Sequence, residues 1–170
     1  MATLQRFLNR LWIFVLCGVL TGGYMYQLFE HEQPCPLCML QRLAMIGIAA
    51  SILLNLRFGF KEEHYGLALL SAIFGISISL RQIALHVCPQ FPTFGQPILH
   101  YDLYVWAFIV FMCSMLATSV LLMLYIFTND KPVHSAWSQW DKLAFAFVFL
   151  LAFANTISTF MECGLSPCQG

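Results

Sequence analysis

Charge is what this sequence has least of, since only 9% of its 170 residues are Asp, Glu, Lys or Arg. The 8 basic and 8 acidic residues cancel to a net charge of zero, which removes the basic footprint that nucleic-acid binding needs. The same scarcity excludes a soluble core: 60% of residues are hydrophobic and the mean hydropathy is +0.76, values typical of a polytopic membrane protein. No internal repeat or low-complexity tract is visible. A zinc site is also short of ligands, because only one Cys-x-x-Cys occurs and no second such pair or His-x-x-x-His follows it.

What the chain does have is a set of apolar stretches long enough to cross a bilayer, at about residues 11–29, 36–56, 65–87, 103–127 and 143–161. They predict an all-α fold, a polytopic membrane helix bundle forming one domain. Arg6 and Arg10 before the first stretch resemble a signal peptide, but its length and the lack of a small-x-small cleavage site favour a retained anchor. Leu16 before Cys17 argues against lipidation at that cysteine. Gly18 and Gly22, four apart, suit the close approach of a neighbouring helix.

Orientation follows from the positive charges, because Lys and Arg collect in cytoplasmic segments. With the amino terminus inside, the inner segments hold Arg6, Arg10, Arg57, Lys61, Lys131 and Lys142, and the outer ones hold none. The remaining basic residues, Arg42 and Arg81, fall within spans. Cys35, Cys38, Cys88, Cys163 and Cys168 then lie on or near the outer, oxidising face. Cys17 and Cys113 fall inside spans, where a thiol acts as a small apolar residue.

The chain is organised around Pro34-Cys35-Pro36-Leu37-Cys38-Met39-Leu40-Gln41-Arg42. Pro36 suits a first helical turn, so Cys35 is expected to cap a helix whose positive dipole end favours a thiolate. Cys38 and Arg42, four apart, share a face of that helix, where the guanidinium can stabilise a neighbouring anion. A structural disulfide is the competing reading. So short a loop gains little from closure, though, and would not explain an arginine whose burial in a span costs about 2.5 to 3.5 kcal/mol. Two outer dithiol candidates, one pinned to a helix and one (Cys163 and Cys168) in a Gly- and Pro-containing tail, suggest a thiol-exchange relay to a lipid-soluble acceptor.

Cys35-Pro-Leu-Cys38-Met-Leu-Gln-Arg42, opening the second span, resembles the signature of the disulfide bond formation protein B family. The resemblance covers about Leu11 to Phe127 and includes Arg81-Gln82, Leu85-His86 and Pro89 as a third-span ending. It implies a bacterial inner-membrane thiol:quinone oxidoreductase, which reoxidises a periplasmic thioredoxin-fold dithiol oxidase and passes electrons to ubiquinone or menaquinone. By matched position, Cys35 and Cys38 are the quinone-facing pair. Cys38 meets the quinone, Arg42 stabilises its reduced anionic form, and Gln41 and Arg81 join the pocket.

The chain departs from that pattern, having a four-helix core plus a fifth C-terminal transmembrane helix. The outer loop between the third and fourth spans holds only Cys88, so Cys163 and Cys168 are expected to substitute for the family's second pair, with Cys88 open to pairing with either. Alternatives are a quinone reductase of the vitamin K epoxide reductase kind and a non-catalytic membrane protein with structural disulfides. Arg81 either lines the pocket, snorkels outward or pairs with Asp102. His86 and His100 are quinone-bonding candidates or simple interfacial residues, and Tyr101, Tyr104 and Trp106 read as an aromatic belt.

Overall fold

The computed structural model describes residues 2–30, 35–87, 100–128 and 138–164. Within them run five α-helices: α1 (Ala2–Glu30), α2 (Pro36–Phe58), α3 (Glu62–Val87), α4 (Leu103–Thr128) and α5 (Gln139–Cys163). Each is long and apolar enough to cross a membrane, and the fold is a polytopic helix bundle. The central helix is α2: 56% of its apolar window is buried, against 22% to 33% for the others, and it packs on all four. On one side α3 joins it to α4, while α5 lies against α1 and α2 and does not touch α3.

Lipid tails are as apolar as leucine, so helices here associate through close packing and buried polar contacts. Small residues on α3 and α4 allow the first: Ala68, Ala72 and Ala107 lie in the core with Ile48, Ile52 and Phe111. A Cβ on Gly47 would meet the Ser71 side chain, and one on Gly75 would run into the Phe111 ring. Gly18 and Gly22, expected to receive a helix, have open space beside them. Among the described residues, no helix of this chain packs on that spacing. Cys17 is fully buried as a small apolar residue, whereas Cys113 faces outward.

Polar contacts gather at the end of the bundle where α1, α3 and α5 begin. The Gln5 and Asn9 amides both donate to the Tyr65 hydroxyl, at 3.2 and 3.1 Å. Nδ1 of His64 lies 2.9 Å from Oδ1 of Asn55. Asp141, only 1% exposed, accepts from Arg10 Nε at 2.6 Å and Nη2 at 3.0 Å, and from Arg6 Nη2 at 3.2 Å. It also closes a capping box with Ser138 at the start of α5.

These ion pairs explain why α1 starts at Ala2 and carries Arg6 and Arg10 within the helix, instead of leaving both arginines ahead of it. The expected loop from Arg57 to His64 shrinks likewise, to Gly59 through Lys61. Glu62 and Glu63 sit in the first turn of α3, where the helix dipole favours acidic side chains.

Candidate functional site

At the opposite end, Cys35 is the N-cap of α2 in an extended conformation (φ −69°, ψ 145°), with Pro36 opening the helix. Its sulfur accepts the Cys38 backbone N–H at 3.4 Å and the Cys38 thiol at 3.1 Å. The thiol hydrogen bond, ahead of those from the backbone amides of Cys38 and Leu37 and the charge of His86, overcomes burial and holds the Cys35 thiol well below the usual range. The N-cap position thus presents the more acidic thiol of the pair at the mouth of α2.

The second helix in the site is α3. Gln82, fully buried, points its amide nitrogen at both sulfurs, 3.5 Å from Cys35 and 3.6 Å from Cys38. Gln41, a turn into α2, donates to Gln82 Oε1 at 2.9 Å and to Ser79 Oγ at 3.2 Å. Arg81, expected in the pocket, lies on the exposed face of α3 and is not among the cavity residues. A step of one residue turns a helical side chain by about 100°, so the residue next to Arg81 is the one that reaches the thiols.

Beside Cys38 opens a cavity of about 150 Å³ between α1, α2 and α4. Val19, Leu20, Met45, Leu103 and Val110 make it apolar, while Cys38, Gln41 and Arg42 bring polar groups to its wall. Arg42 donates through Nη2 to the Gly23 carbonyl at 3.4 Å, and its guanidinium carbon lies 4.2 Å from the centre of the Tyr24 ring. Its other terminal nitrogen, Nη1, is buried with no hydrogen-bond partner among the described residues. An unmade hydrogen bond from a buried cation is costly, and this one sits on a residue that lines the cavity.

Trp106, expected only as part of an aromatic belt, also lines the cavity. Tyr104 stacks on His86 with centroids 4.9 Å apart and donates to Asp102 at 2.5 Å. Asp102 therefore serves Tyr104. His86 Nδ1 lies 2.7 Å from the Gln82 carbonyl, on the thiol side of α3, and His100 adopts a positive φ of 71° just before α4. Cys88, Cys168 and the Cys163 side chain lie outside the described residues. Among the described residues, no group of three His, Cys, Asp or Glu could hold a metal ion.

Comparison with known proteins gives the arrangement a lineage. The chain is 37% identical to Disulfide bond formation protein B of Cupriavidus metallidurans over 80 residues, which is 46% of this chain and 50% of that protein. It is 38% identical over 83 residues to the protein of that name from Ralstonia nicotianae, covering 45% and 52% of the two chains. For that of Chromobacterium violaceum the figures are 34% over 98 residues, 51% and 58%. The chain spans about half the length of the curated relatives it matches. No solved structure matches it.

The family described as Disulfide bond formation protein DsbB matches residues 5–97, a stretch that stops before α4 and falls short of the expected Phe127. Since that match takes in more than half of the sequence, including both thiols, Arg42 and Gln82, the chain belongs to the DsbB family of disulfide bond formation proteins.

Proposed function

We propose that this membrane protein is a protein-dithiol:quinone oxidoreductase. In this reading it reoxidises a periplasmic thioredoxin-fold dithiol oxidase and passes the electrons to ubiquinone or menaquinone. The observation that carries the reading is the cavity shared by Cys38 and Arg42, with an unpartnered guanidinium nitrogen on the residue forming its wall. A cavity of this size in another protein, about 150 Å³, admits benzene, so a single aromatic ring fits the space. Cys38, Arg42 and Trp106 would hold the quinone head, and a quinone supplies an acceptor for two electrons and two protons.

The chain's own residues account for the rest. Cys35 does not line the cavity and Cys38 does, so Cys35 is the sulfur left for exchange with an incoming dithiol, the tail pair in this reading. When a donor dithiol reduces the Cys35–Cys38 disulfide, the donor becomes a disulfide and this chain a dithiol. Re-forming the bond releases two electrons and two protons to the quinone, giving quinol. Gln82 stabilises the reduced sulfurs by N–H donation, and the apolar walls keep water from the exchange. Cys163 and Cys168, with Cys88, relay electrons from the partner to Cys35, and the positive-charge count supports a periplasmic position for all four.

The test is spectrophotometric, with purified protein, a reduced dithiol donor and ubiquinone-1. Quinone absorbance should fall as donor disulfide accumulates, and Cys38→Ser should stop both. Full turnover in that variant ends the proposal, and so does net electron flow from quinol to disulfide.

A further inference from the structure

We propose that Asn155 on α5 is a positioning residue for the acceptor: it fixes the Tyr24 phenol, and the Tyr24 ring seats the Arg42 guanidinium on the cavity wall. The inference rests on the quinone reading above and extends it to a helix that lies wholly beyond the residues matched to the family.

The Tyr24 hydroxyl donates to Asn155 Oδ1 at 3.1 Å, and Asn155 is buried, 6% exposed. In the apolar interior of a bundle, a phenol without such a partner turns its hydroxyl toward the nearest water. The bond therefore pins the ring. Arg42 lies over that ring, 4.2 Å from its centre, and donates to the Gly23 carbonyl at 3.4 Å. An arginine in a span otherwise extends along the helix to the interface. Ring and carbonyl together hold the guanidinium within the membrane and leave Nη1 for a ligand. The depth of Asn155 is set from the other end of α5, where Asp141 is locked by Arg6 and Arg10. The fifth helix thus supplies the outer support of the acceptor site.

The experiment uses full-length protein in detergent, with dithiothreitol as electron donor and ubiquinone-1 as acceptor. Asn155→Leu and Tyr24→Phe should each raise the apparent KM for ubiquinone-1 about fivefold, with kcat within about twofold of wild type, the scale of one lost hydrogen bond. Asn155→Asp, which keeps an acceptor oxygen, should restore most of the affinity. The double variant should be no worse than either single one, because both break one link. If Asn155→Leu fails to fold, Tyr24→Phe carries the test alone. An unmoved KM in folded single variants, or effects that add in the double variant, overturns the inference and leaves the quinone reading standing. Wild-type protein that reduces neither ubiquinone-1 nor the naphthoquinone menadione overturns both.

Discussion

Gln41 on α2 donates to Gln82 on α3 across 2.9 Å, and this bond decides which end of the Gln82 amide faces the sulfurs. With Oε1 engaged, the nitrogen is turned to Cys35 and Cys38. Replacing Gln82 by Met, close in volume, leaves the buried Gln41 amide short of an acceptor and removes the donor to the thiols. The variant should lose about 1 to 3 kcal/mol of stability in detergent unfolding. Its dithiol should also shift about fivefold toward the disulfide in a glutathione equilibrium, because the reduced form loses its hydrogen bond. An unshifted equilibrium would remove Gln82 from the redox site.

Arg42→Ala should raise the apparent KM for quinone about tenfold or more while unfolding stays near wild type, the loss expected for a charged hydrogen bond to the acceptor. Arg42→Lys should recover only part of this, since an ammonium cannot lie flat on Tyr24 and reach the Gly23 carbonyl together. An unchanged KM in Arg42→Ala would separate the arginine from acceptor binding.

The Cys35 thiol of the reduced protein is more acidic than an ordinary one because the native state favours its charged form. Native protein therefore sheds this proton at lower pH than unfolded protein does. The resulting stability is fully present above the unfolded value of about 8.5 and is lost as pH falls through the depressed native value. Ultraviolet thiolate absorbance of reduced protein should persist below the usual thiol range and vanish in Cys35→Ser. A titration identical in that variant would contradict the assignment.

Asp141→Asn leaves Arg6 and Arg10 without their shared carboxylate. Both arginines are mostly buried, with side chains 17% and 24% exposed, so the change should cost about 3 kcal/mol. The loss should appear as early protease cleavage between α4 and α5. Stability equal to wild type would mean α5 is held without these ion pairs.

The thiol end was largely legible in the sequence because its logic is local. Pro36 announced the start of α2, Cys35 its cap, and the four-residue step placed Cys38 and Arg42 on one cavity wall. What escaped depended on rotation and distance along the chain. Helix α3 carries apolar residues on several sides, so nothing in its pattern said that Gln82 faces inward and Arg81 outward. Arg6 and Arg10 read as flanking charges because their partner, Asp141, lies 135 and 131 residues away. Tyr24 and Asn155, a pair separated by 131 residues, carried no signal at all.

The bundle's polar cross-links are unevenly placed. Ion pairs and close hydrogen bonds among Gln5, Asn9, Tyr65, Arg6, Arg10 and Asp141 stitch one end, while among the described residues the thiol end is joined by hydrogen bonds without an ion pair (Gln41 to Gln82 and Ser79, Tyr24 to Asn155) and by longer contacts to sulfur and to the Gly23 carbonyl. Local opening is cheapest where such stitching is thinnest. On the proposed function, disulfide exchange would then disturb the mouth that holds the thiols while the ion-paired end stays closed.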